Sequence, residues 1–109
     1  MGLREQILAK EDHCRKELSV PEWGLTLNLR TWSARERVRI QSWLKDGVEK
    51  HPHLLARVVA LSVVDNDGAF VFTDKDVDRL SEKNGKVLEA IAKEAVEWNA
   101  LGKEEEAKN

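Results

Sequence analysis

The chain is poor in the residues that small proteins use as staples or reactive centres. It has one cysteine, Cys14, so no internal disulfide forms and nothing calls for an oxidising compartment. A structural zinc site needs four ligands at recognisable spacings, and Cys14 with the scattered His13, His51 and His53 does not supply them. Neither charge dominates: 18 basic and 20 acidic side chains nearly cancel and are interspersed, which argues against a nucleic-acid partner and its basic stripe. No apolar run reaches the roughly 20 residues that span a bilayer. Arg4, Glu5, Lys10, Glu11 and Asp12 interrupt any signal-peptide core at the N-terminus. A glycine-rich phosphate loop, G-x-S-x-G and H-E-x-x-H are all missing. Cys14 has His13 as its immediate neighbour, a poor position for a general base. The expectation is a cytoplasmic protein with no metal, no cofactor, no membrane or nucleic-acid contact and no catalytic activity.

What is present fits one domain of 109 residues, large enough for a core without staples. The chain is organised around residues 53–77, HLLARVVALSVVDNDGAFVFTDKDV. Leu54, Leu55, Val58, Leu61 and Ser62 share a helical stripe, with Ala56, Ala60, Val63 and Val64 around the rest, the pattern of a buried helix. The preferred reading is a helix to about Val64. The β-branched VVALSVV, the turn chemistry of Asp65-Asn66-Asp67-Gly68 and the alternating Phe70-Val71-Phe72 also allow a hairpin with strands near 58–64 and 69–73. The same turn is no calcium loop, because neither register places both the carboxylates and the glycine where a twelve-residue loop needs them.

Around this element, residues 3–9 predict two helical turns presenting Leu3 and Ile7, with Leu8 beside them. Leu18 and Val20, then Leu25, Leu27 and Leu29, alternate with polar neighbours on either side of Pro21-Glu22-Trp23-Gly24, which predicts a β-hairpin with one buried face. Ser33-Ala34-Arg35-Glu36 is a capping box that opens a helix ended by Gly47. Ile40, Trp43 and Leu44 lie on one side of that helix and Val38 on another. Thr73 caps a short helix over Val77 and Leu80 that Asn84-Gly85 stops. The last helix, about 86–101, stacks Val87, Leu88, Ile91, Ala95 and Trp98 in one arc. The fold class is therefore α+β, mostly α-helical, with an N-terminal β-hairpin packed on a bundle of about four to five helices. Residues 1–101 form the single domain and 102–109 a charged, flexible tail.

Four tryptophans with no tyrosine is unusual at this length. Trp43 and Trp98 fit core stripes. Trp23 falls in the hairpin turn and Trp32 at the strand-to-helix junction, where either corner packing or an interaction surface explains them. Trp23, Trp32 and Val38 are the residues least easily absorbed into one core, and they make up the expected partner-binding patch. A small, charge-balanced domain without a reactive centre is most simply a binding module.

Taken in order, LREQILAKED, VPEWG with LTLNLR behind it, SARER, LLARVVALSVVDNDG, FTDKDVDRLSEK and the closing NALG resemble the tail assembly chaperones of long-tailed bacteriophages across most of residues 2–101. The resemblance implies a protein of the bacterial host cytoplasm, absent from the mature virion, that accompanies the tape measure protein while the tail tube polymerises. It implies as partners that tape measure protein, a longer product of the same gene made by ribosomal frameshifting, indirectly the major tail tube protein, and further copies of itself as a homo-oligomer. Slippery codons at Gly102-Lys103 or Ala107-Lys108-Asn109 would suit such a frameshift. The other reading is a generic non-catalytic adaptor of phage or bacterial origin.

Overall fold

The computed structural model describes residues 2–99. The expected tail, 102–109, and residues 100 and 101 of the helix drawn to residue 101 lie outside the described residues.

The hairpin forms as its period demands. Strand β1 (Arg15–Val20) pairs antiparallel with β2 (Leu25–Arg30), with Leu18 opposite Leu27 and Val20 opposite Leu25. Pro21 stands in a single 3-10 turn, Pro21–Trp23, where its missing N–H costs no ladder bond. Gly24 closes the turn at φ 65, a left-handed conformation that glycine adopts without a Cβ clash. On the inner face Val20 and Leu29 are buried, while Lys16 extends along it to an ion pair with Glu94.

Helix α2 (Ala34–Asp46) starts at the expected capping box: Ser33 Oγ accepts from Glu36 N at 3.1 Å, and the Glu36 carboxylate accepts from Ser33 N at 2.8 Å. Gly47, at φ 88, ends it. Helix α3 (Leu54–Ser62) is the centre of the molecule, packed against α2, α4 (Val77–Ser81) and α5 (Gly85–Trp98). Val58, Val59 and Ser62 on α3, Ile40 on α2, Ile91 on α5 and Leu29 on β2 are almost fully shielded from solvent. Each apolar member of that set contributes roughly 1.5–3 kcal/mol of burial.

The helix does not run to Val64. It stops at Ser62, and Val63–Val64 become a two-residue strand, β3, on the open edge of β2, with Leu29 opposite Val63 and Asn28 opposite Val64. Val64 also bridges to Phe70. The alternative hairpin reading is thus right about residues 63–70 and wrong about Val58 and Val59, which are helical. Between them, Asp65 Oδ1 accepts from Asp67 N at 2.9 Å and Ala69 N at 3.0 Å, a turn locked by its own side chain. Arg15 from β1 donates to the Asn66 carbonyl at 2.7 Å, and Asn28 Nδ2 donates to Asn66 Oδ1 at 2.9 Å. The result is α+β, mostly helical: among the described residues, a three-stranded antiparallel sheet and five α-helices.

Helix α1 (Leu3–Leu8) forms where expected but buries none of its residues, and Leu3, Ile7 and Leu8 stand exposed. Thr73 caps the 3-10 turn Asp74–Asp76 that leads into α4, and Asn84 caps α5 through Lys86 N at 2.9 Å.

Candidate functional site

The three residues expected to meet a partner do not form one surface. Trp32 is only 5% exposed. Its indole N–H donates to Ser62 Oγ at 2.9 Å and its backbone N–H donates to Asn99 Oδ1 at 2.9 Å, so it fastens the sheet-to-helix junction to α3 and α5. Of the two readings left open for Trp32, corner packing is the one its surroundings match: it is absorbed into the core with both N–H groups satisfied inside the chain. Trp23 is half-buried against the core and lines a cleft of about 310 Å³ with Leu25, Val63 and Val71. Val38 alone projects freely, 66% exposed on the outer face of α2.

Two further surfaces were not visible in the sequence. Trp43 lies under two cations, with the Arg39 and Arg57 guanidinium carbons 5.3 and 5.6 Å from its ring centre. The three residues line a cleft of about 300 Å³ with Phe70, Phe72 and Val77. The larger hollow, about 630 Å³, is a groove where the end of α2 meets α3 and α5. Leu44, Leu54, Leu55, Val58, Ala92 and Val96 line it, and Leu44 is 43% exposed despite sharing a side of α2 with buried Ile40. Lys86, Glu89, Lys93 and Glu97 stand along its α5 side.

The polar clusters are structural. Arg30, at the end of β2, donates to Glu36 and to His13 Nε2 at 3.0 Å, and its guanidinium covers the Phe70 ring at 4.6 Å. His13 Nδ1 also lies 3.1 Å from Thr31 Oγ1 and 3.4 Å from the same Arg30 nitrogen. His13 is therefore committed to Thr31 and Arg30, while the exposed Cys14 uses its backbone N–H on the same Thr31 hydroxyl at 3.0 Å. That arrangement gives the thiol no base. At the end of α2, the hydrogen bond from His51 to the Asp46 carboxylate, 3.0 Å long, holds the Asp46 pKa below its ordinary value. Among the described residues no three His, Cys, Asp or Glu side chains gather where they could hold a metal ion, and no helix is long and apolar enough to cross a membrane.

Comparison with known proteins gives this geometry its context. A family model described as phage tail assembly chaperone matches residues 2–109. A solved structure of the bacteriophage HK97 tail assembly chaperone is similar: 29% sequence identity, 87% of this chain and 90% of that chain covered, TM-score 0.61. No curated protein sequence matches the chain.

Proposed function

The chain belongs to the phage tail assembly chaperone family, and from that premise we propose that it binds the tape measure protein in the host cytoplasm and keeps it soluble while the tail tube polymerises. The match along residues 2–109 carries the reading. The physical logic is that a long, largely helical, locally apolar client aggregates unless its apolar faces are covered, and many small copies can cover them. The chain has the surface for that task, with Val38, Leu44, Phe70, Val71 and the α1 side chains exposed. In this reading the protein works without catalysis or cofactor. Its excess short copies act beside a longer frameshifted product that meets the tail tube protein, and the copies associate with one another along the client.

Co-expression tests the proposal. The tape measure protein encoded in the same phage genome is produced with and without this chain, and its soluble fraction is measured after lysis. The expected result is a soluble complex that co-purifies. A client equally soluble alone would refute the proposal. The frameshift component is tested separately by the gene, which must carry a slippery heptanucleotide in its final few dozen codons.

A further inference from the structure

We propose that the cleft at Trp43 is where copies of this chain join, and that its occupant is the N-terminal segment of a second copy: the apolar end of α1 followed by Glu11 and Asp12. The inference rests on the self-association in the function proposed above and names the two surfaces that meet.

The cleft asks for an anion beside an apolar side chain. Arg39 and Arg57 lie over the Trp43 ring and both are exposed, yet neither closes an ion pair among the described residues. Asp74 lines the same cleft and pairs with neither. Stacking on the indole orients each guanidinium and leaves N–H groups free, so a carboxylate is taken without first ordering two long side chains. Leu61, Phe72 and Val77 give the remaining wall its apolar character.

The N-terminal segment offers the complementary set. Helix α1 buries none of its residues, and Ile7 and Leu8 stand 60% and 68% exposed at its end. A helix of six residues gains too little from its own backbone bonds to be stable alone, so its uncovered apolar side calls for a neighbour. Glu11 and Asp12 follow shortly after, exposed and likewise without an ion pair among the described residues. One short segment thus carries an apolar head and an acidic foot. The hollow beside Leu44 fits it less well: there Lys86 and Lys93 balance Glu89 and Glu97, which gives the acidic foot no preference.

The segment cannot serve its own chain in this way. Cys14 is tied to Thr31, its N–H donating to the hydroxyl and its carbonyl accepting the Thr31 N–H, both at 3.0 Å. Glu11 and Asp12 therefore stay within about three residue lengths, roughly 10 Å, of that anchor. There Glu11 lines a separate hollow with Arg15 and Asp67, and the Trp43 cleft has only Phe70 in common with it. Because segment and cleft are different surfaces, the contact is head-to-tail. Each copy leaves one segment or one cleft open for the next, so a row of copies can grow.

The test is sedimentation velocity of the full chain over a range of concentrations, without the client. The variants are Glu11→Lys with Asp12→Lys, Arg39→Glu with Arg57→Glu, and Ile7→Glu, each checked for wild-type circular dichroism. All five positions are exposed, so the core is left untouched. The expected result is concentration-dependent association of the wild type, weakened about tenfold or more in each variant. An equal mixture of the two charge-reversed proteins should associate again, because each reversed segment then meets a reversed cleft. A wild type that stays monomeric, variants that associate as it does, or a mixture no stronger than its parts would overturn the proposal. So would charge-reversed variants that lose the client but still self-associate, since the cleft would then belong to the client. In each case the solubility of the co-expressed client decides the chaperone reading separately.

Discussion

Ser62 is the residue whose removal tests the packing argument most directly. Its hydroxyl, fully shielded from solvent, accepts the Trp32 indole N–H at 2.9 Å and donates to the Val58 carbonyl at 2.6 Å. Ser62→Ala removes one oxygen and almost no volume. The Val58 carbonyl keeps its backbone helical partner, so the loss falls on Trp32, whose indole N–H is left buried without an acceptor. That desolvation costs about 1–3 kcal/mol. For a domain of this size each kcal/mol lowers the midpoint by about 4–8 °C, so Ser62→Ala should melt well below wild type. Urea unfolding followed by far-UV circular dichroism should show a lower midpoint with an unchanged m-value. Circular dichroism is preferred to fluorescence because Trp32 is itself a chromophore. The decisive control is Trp32→Phe. In that background no donor is stranded, so Ser62→Ala should cost far less, and the double-mutant cycle should show a coupling of about 1 kcal/mol or more. A Ser62→Ala protein as stable as wild type, or strictly additive single substitutions, would refute the role assigned to this hydrogen bond.

Two further perturbations probe the polar clusters. Glu36→Ala should destabilise by about 1–3 kcal/mol in urea, more than the roughly 1 kcal/mol of Ser33→Ala, because it removes a cap partner and also takes the paired carboxylate from the mostly buried Arg30, whose Nε already lacks a partner among the described residues. The Asp46–His51 hydrogen bond lowers the Asp46 pKa, so its stabilisation is present above the unfolded aspartate value near 3.9 and disappears as the pH falls through the lower folded value. Wild type and Asp46→Asn should therefore differ in thermal midpoint at pH 5 and converge in strong acid.

Much of the fold was legible because its signals are local. The Ser33–Glu36 capping box, the alternation around Pro21–Gly24 and the apolar arc of α5 each require only neighbouring residues, and each forms the expected element. The misreadings come from contacts distant in sequence. Val63 and Val64 leave the helix because β2 offers them an open edge, a contact with residues 28 and 29 that no local window contains. Trp32 at its junction could be read as corner packing or as an interaction surface, and the partners that decide for packing, Ser62 and Asn99, lie far along the chain. A polar residue on an otherwise buried stripe, as Ser62 is, was the available hint that some side chain must come to meet it. The groove was hidden for the same reason, since it exists only where α2, α3 and α5 converge. Leu44, apolar on a core-facing side yet left uncovered, and Val96, outside the main arc of α5, were its faint traces.

Asn99 gives the end of α5 a fixed mooring. Its side-chain oxygen receives the Trp32 N–H, its amide donates to the Ala95 carbonyl at 2.9 Å, and its own carbonyl receives Arg37 from α2 at 2.6 Å. Three elements thus hold the last described residue in one place and one direction. One residue thus couples the sheet-to-helix junction, α2 and α5, so a disturbance at the end of α5 reaches Trp32 and Arg37 together.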